Sequence, residues 1–167
     1  MRPEMLAQMQ RVPHAQVETV MSLFKKILVP IDGSKTSDKA LDYALRLAHE
    51  GKGQVRLVHC IDELSFLGSH EYSGELMQIA RENGNRILQT GTATAKAMGV
   101  AADHVLIDRV AQRLGDSVAD AAGDWGADLI VIGTHGRRGI GRVLLGSGSE
   151  QIMRLSPVPV LMIRGFD

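Results

Sequence analysis

Three glycines and a serine near the end of the chain are spaced for holding an anion. Gly133 and Gly136 flank Thr134-His135, and nine residues then lead to Gly146-Ser147. The apolar run Leu129-Ile-Val-Ile132 precedes them, and the pattern predicts a helix from Ser147 to about Arg154. A strand feeding a glycine-rich loop feeding a helix N-terminus turns backbone N–H groups toward a ligand with no Cβ in the way. The helix start adds orphan donors and a partial positive charge. Arg137, Arg138 and Arg142 lie in the same loop, as does His135, and a phosphate is the chemistry they suit. Ser147 is read both as the N-cap of the helix and as a phosphate donor, two compatible roles.

The familiar phosphate motifs do not account for this loop. No G-x-x-x-x-G-K-[ST] occurs, and Gly139-Ile-Gly141 fails as a dinucleotide fingerprint because Leu144 holds the third glycine position. A dinucleotide fingerprint would also belong on the first strand. A second candidate stands there: Asp32-Gly33-Ser34 follows the apolar run Ile27 to Ile31. Asp32 fits either a hydrogen bond to a ligand hydroxyl or base, or a simple turn with Gly33. His59 sits in an apolar run and reads as a satisfied core histidine. No His/Cys spacing marks a metal site. Asp32 and His135 are the only residues nameable for catalysis, and neither has a visible partner group.

The positioning elements alternate. Ile27–Ile31 reads as a strand buried on both faces. A helix runs from Ser34–Ser37 to about Glu50, with Gly51 ending it. Val55–Cys60 is a second strand, and 62–73 a loop. A long helix covers Gly74 to Met98 and contains Gly84 and Gly91, which mark either close packing or a break. Ala102–Asp108 is a third strand. Asp116 is expected to cap a helix that Gly126 stops. Leu129–Ile132 and Val158–Ile163 are the fourth and fifth strands. Strands alternating with helices imply parallel βαβ units in an α/β domain. Pro159 places the last strand at a sheet edge. Its neighbours are too apolar for a bare edge, which a second copy of the chain would cover.

Composition narrows the classes. The chain has 167 residues, 19 basic against 19 acidic side chains, 4% aromatics and one cysteine. One domain with a full core is expected. The balanced charge and scarce aromatics argue against nucleic acid and membrane partners. No apolar run approaches a membrane span, and no secretory signal is read. The lone cysteine suits a cytoplasmic protein. Residues 1–22, with Met1, Met5 and Met9 at regular spacing, are expected to form an extension outside the folded domain at 23–167.

The spacing G-x2-G-x9-G-[ST] resembles the nucleotide-binding signature of the universal stress protein family. Lys25–Ser34 is similar to that family's opening strand and turn, Leu57–Asp62 to its second strand, Ala127–Gly136 to its fourth and Ser156–Ile163 to its last. The resemblance implies a Rossmann-like single domain with a five-stranded parallel sheet in the order 3-2-1-4-5. It implies binding of ATP, or ADP or AMP, with Mg2+ accompanying a triphosphate, and a homodimer joined through the last strand. The ligand set it implies is Pro30, Asp32, the backbone of Cys60, Gly133, Gly136, Arg137, Gly146, Ser147 and Gly148. Gly148 stands where the family's nucleotide binders usually carry valine; glycine keeps the backbone donor. The expected role is a stress-response regulator rather than an enzyme. A scaffold of the same fold that uses no nucleotide, or a slow ATPase, is the alternative.

Overall fold

A computed structural model describes residues 24–61, 74–109, 112–134 and 146–164. Its elements run β1 (Lys26–Pro30), α1 (Lys35–Gly51), β2 (Gln54–Cys60), α2 (Gly74–Ala97), β3 (Ala101–Ile107), α3 (Leu114–Trp125), β4 (Leu129–Gly133), α4 (Ser147–Leu155) and β5 (Val160–Ile163). The strands form one parallel sheet in the order β3-β2-β1-β4-β5, as the family resemblance implies.

The unalternating apolar runs are explained by two cores. Ile27 and Val29 of β1 and Leu129 and Val131 of β4 face α1 and α2, where Leu41, Leu45 and Leu88 fill the layer. Leu28 of β1 and Ile130 and Ile132 of β4 face the opposite way, onto Val118 and Ala122 of α3 and Ile152 of α4. A strand covered on both sides has no polar face, so period-two alternation disappears. The crossovers bring every strand's C-terminal end, and the N-termini of α1, α3 and α4, to one side of the sheet.

The two glycines of α2 mark close packing, not a break, since the helix is continuous. A Cβ on Gly84 would lie 2.7 Å from His59 Cδ2 and 2.7 Å from Leu106 Cδ1, and one on Gly91 would lie 2.8 Å from Leu57 Cδ1. In an exposed helix, Gly→Ala gains about 1 kcal/mol. Here the overpacking term dominates, so Gly84→Ala is expected to destabilise the fold by about 1–2 kcal/mol. A lowered midpoint in urea is the expected result; a raised one would mean that α2 stands off the sheet.

Several boundaries differ from the sequence reading. The left-handed residue ending α1 is Lys52 (φ 52°), one beyond Gly51. Glycine is instead needed at position 53, where a Cβ would sit 2.9 Å from the Lys25 carbonyl oxygen. Arg113, not Asp116, is the N-cap of α3, and Asp116 lies in the first turn. There its charge still complements the helix dipole. Gly126 (φ 68°) does close α3. β5 begins at Val160, because Ser156 Oγ both donates to the Val158 carbonyl (2.6 Å) and accepts from the Val158 N–H (3.2 Å), folding that residue into a turn. Pro159 needs no donor there, since its carbonyl accepts from Ile130 N–H at 3.0 Å. β5 is an edge strand, with Leu161 37% and Met162 38% exposed.

Candidate functional site

β1 pairs with β2 on one side and β4 on the other, and the chain winds outward in opposite directions from that pair. Ligands in such sheets bind beyond the strand ends at this reversal. A crevice of about 100 Å³ lies there, with Pro30, Asp32, Val58, Cys60, Gly133 and Ser149 in its walls. The fold thus brings together Pro30, Asp32, Cys60 and Gly133 from three separate strand ends. Gly146, Ser147 and Gly148 begin α4, immediately before Ser149. Gly136 and Arg137, like His135, Arg138 and Arg142, lie outside the described residues.

Asp32 has turn work to do. Its Oδ1 accepts from Ser34 N–H at 3.0 Å, across Gly33 in the left-handed region (φ 75°). Ser34 then caps α1, its Oγ accepting from Ser37 N–H at 3.2 Å. Ser37 Oγ donates back to the Ser34 carbonyl at 2.9 Å. This lattice of short-range bonds fixes the carboxylate at the crevice edge. Its charge is felt one turn on: partial burial, then the Asp32 charge, lift the Asp38 carboxyl above its ordinary 3.8.

Gly133 is required by packing, whatever binds beside it. A Cβ there would lie 2.9 Å from both the carbonyl carbon and the oxygen of Thr36, so β4 and the start of α1 touch backbone to side-chain position. His59 is a satisfied core histidine: buried, with Nδ1 2.7 Å from the Ile31 carbonyl oxygen. That bond sets the chain just before Asp32.

The N-terminus of α4 is built differently from that of α1. Gly146 is its N-cap (φ −61°, ψ 143°) and makes no side-chain cap bond; Ser147 is the first helical residue rather than the cap. The reason is that the first helical bond, Glu150 N–H to the Gly146 carbonyl (3.0 Å), already starts one residue earlier. An α-helix leaves its first N–H groups without intrahelical partners, and an anion satisfies them well. Gly146 N–H donates to the Thr134 carbonyl at 3.0 Å, joining the start of α4 to the residue after β4. Ser149 Oγ donates to the Gly133 carbonyl at 2.8 Å, tying the first turn of α4 to the end of β4. Sequence reading missed Ser149, although its place two residues after Ser147 is a usable signal. It also missed Leu114, which lines the crevice from the first position of α3 and carries no local signal.

The universal stress protein family profile matches residues 23–164. This chain belongs to the universal stress protein family. A universal stress protein of Methanocaldococcus jannaschii is 32% identical over 145 residues, covering 86% of this chain and 84% of the relative. A second protein of that organism, of solved structure, superposes with a TM-score of 0.76 at 26% identity, over 87% of this chain and 99% of its own. The fold is also shared with a universal stress protein from Archaeoglobus fulgidus solved in complex with dAMP, at a TM-score of 0.64 and 21% identity, over 84% of this chain and 98% of that one. Among the described residues, no helix is long and apolar enough to cross a membrane, and no three His, Cys, Asp or Glu side chains converge to hold a metal ion.

Cys60 illustrates how the crevice treats side chains. Burial pushes its thiol from the ordinary 9.0 up to about 12, against a smaller downward pull from Arg109. The folded protein therefore holds a neutral thiol at physiological pH, a poor nucleophile. The unfolded chain ionises first as pH rises, so this group's contribution to stability declines from pH 9.0 toward about 12. Alkylation by iodoacetamide at mildly alkaline pH is expected to be slow in the folded universal stress protein and fast in denaturant. Equal rates would show an accessible thiolate.

Proposed function

We propose that this universal stress protein binds a nucleotide, ATP or its diphosphate or monophosphate, and acts as a dimeric regulator in stress response. The observation that carries the reading is the α4 N-terminus. It lacks a side-chain cap and stands beside β4 at the sheet's winding reversal. In this reading Ser147 and Gly148 offer backbone donors to the phosphates, Gly146 caps the helix that carries them with its own N–H held by the Thr134 carbonyl, and Gly136 and Arg137 complete that shell. Asp32 meets the ribose or base, Pro30 shapes the wall, the backbone of Cys60 holds the base, and Gly133 lets α1 close on β4. Mg2+ would accompany a triphosphate and neutralise its charge, without a dedicated carboxylate cage.

Nucleotide binding regulates only if it favours one conformational or assembly state over another. The half-exposed apolar side chains of β5 supply the second copy's contact, with the strands of two chains paired about a two-fold axis. Catalysis has little support, since phosphoryl transfer needs a positioned nucleophile or water. A scaffold that uses no nucleotide is the competing reading. It gains weight from Gly133 and Asp32, each of which has a structural task without a ligand.

Calorimetric titration of the nucleotide-stripped protein with ATP, ADP and AMP, with and without magnesium, separates the two. Saturable binding near one nucleotide per chain supports the nucleotide reading. Absence of binding by folded protein in every buffer leaves the scaffold.

A further inference from the structure

Leu114 stands in the crevice wall with neither a polar task nor a place in the core. Of the other apolar side chains there, Ile31, Val58, Ile132 and Ile152 are buried, and Pro30 is half-buried. Leu114 is 37% exposed and comes from another helix, at the first position of α3. Gly148 makes room for it: a Cβ on that glycine would lie 2.6 Å from Leu114 Cδ2. The next residue, Gly115, is also in close approach, its would-be Cβ 2.8 Å from Gln151 Cβ. The starts of α3 and α4 are thus pressed together, and the leucine is seated over the α4 N-terminus.

We propose that Leu114 is a specificity-determining residue of the crevice, the apolar surface on which the ring system of a nucleoside rests. The inference builds on the nucleotide-binding reading above. Backbone donors at α4 recognise phosphate oxygens and serve ATP and a bare polyphosphate alike. Discrimination between the two needs an interaction with the nucleoside itself. Asp32 and the Cys60 backbone meet its polar atoms in the reading above, and an apolar contact adds to them by removing ring surface from water. Leu114 is the exposed apolar side chain of this crevice, and Gly148 in place of a branched residue is what allows it to sit there. The pair therefore works as a unit: the side chain belongs to position 114, the space to position 148.

The test is calorimetric titration of the full chain with ATP and with inorganic tripolyphosphate, on wild type, Leu114→Ala, Leu114→Met and Gly148→Ala. Leu114→Ala is expected to weaken ATP binding about 5-fold, the scale of a lost half-buried apolar contact, and to leave tripolyphosphate affinity unchanged. Leu114→Met retains ATP affinity. Gly148→Ala unseats the leucine and weakens ATP binding in the same sense, with little further loss when added to Leu114→Ala. Equal losses for both ligands, or unchanged ATP affinity in Leu114→Ala, overturn the proposal while leaving nucleotide binding intact. Wild-type protein that binds no nucleotide overturns both. Circular dichroism melts of each variant confirm that folded protein is compared.

Discussion

Gly133→Val is expected to destabilise the fold by about 3 kcal/mol, the upper end of the usual cost of overpacking. The size follows from what the new side chain meets. At 2.9 Å from the carbonyl carbon and oxygen of Thr36, even the first carbon is too close, and the obstacle is backbone as well as a methyl group. A flexible side chain could turn aside; the start of α1 cannot. Asp32, Ser34 and Ser37 hold it through their mutual hydrogen bonds. Relief requires α1 to shift as a body, and α1 carries Leu41, Ala44 and Leu45 into the core. Urea denaturation of wild type and variant measures the loss. Thr36→Gly in the same chain removes the methyl but not the carbonyl, so it should recover only part of the stability. Full recovery would show that the contact is a side-chain clash and that the glycine is free for a ligand role alone.

That glycine also shows what a sequence does and does not disclose. Its motif spacing pointed to phosphate, and the crevice does lie beside it, yet its closest neighbour is a helix that no spacing rule could have placed there. The strands were legible because burial on both faces leaves the same mark, an unbroken apolar run, wherever the partner layers come from. Sheet order was not readable from periodicity; it came from the family resemblance, and the register agrees with it. Gly84 and Gly91 were ambiguous by propensity alone, because close packing and helix breaking use the same residue; only the positions of His59, Leu106 and Leu57 decide between them. Cap residues were misplaced by one to three positions: Lys52 rather than Gly51 is the left-handed residue after α1, Arg113 rather than Asp116 caps α3, and Gly146 rather than Ser147 caps α4, although α4 does begin at Ser147. Leu114 was invisible because its meaning lies in a glycine 34 positions away, on another helix.

Ser147→Asp is expected to move stability and binding in opposite directions. Ser147 is the exposed first residue of α4, at the positive end of the helix dipole. A carboxylate there stabilises a helix by about 0.3–1 kcal/mol. The same charge opposes a phosphate at the same donors. Two like charges about 4 Å apart near a protein surface interact by roughly 4 kcal/mol at an effective dielectric constant of about 20, less after salt screening. Even half of that is a loss of about 30-fold in affinity for ATP. Adenosine carries no phosphate and should bind the variant as it binds wild type. A melting temperature that holds or rises while ATP affinity collapses and adenosine affinity stays would place the phosphates at α4. If ATP binds the variant as tightly as wild type, the phosphates are held elsewhere, and the start of α4 serves only to join Gly146 to Thr134.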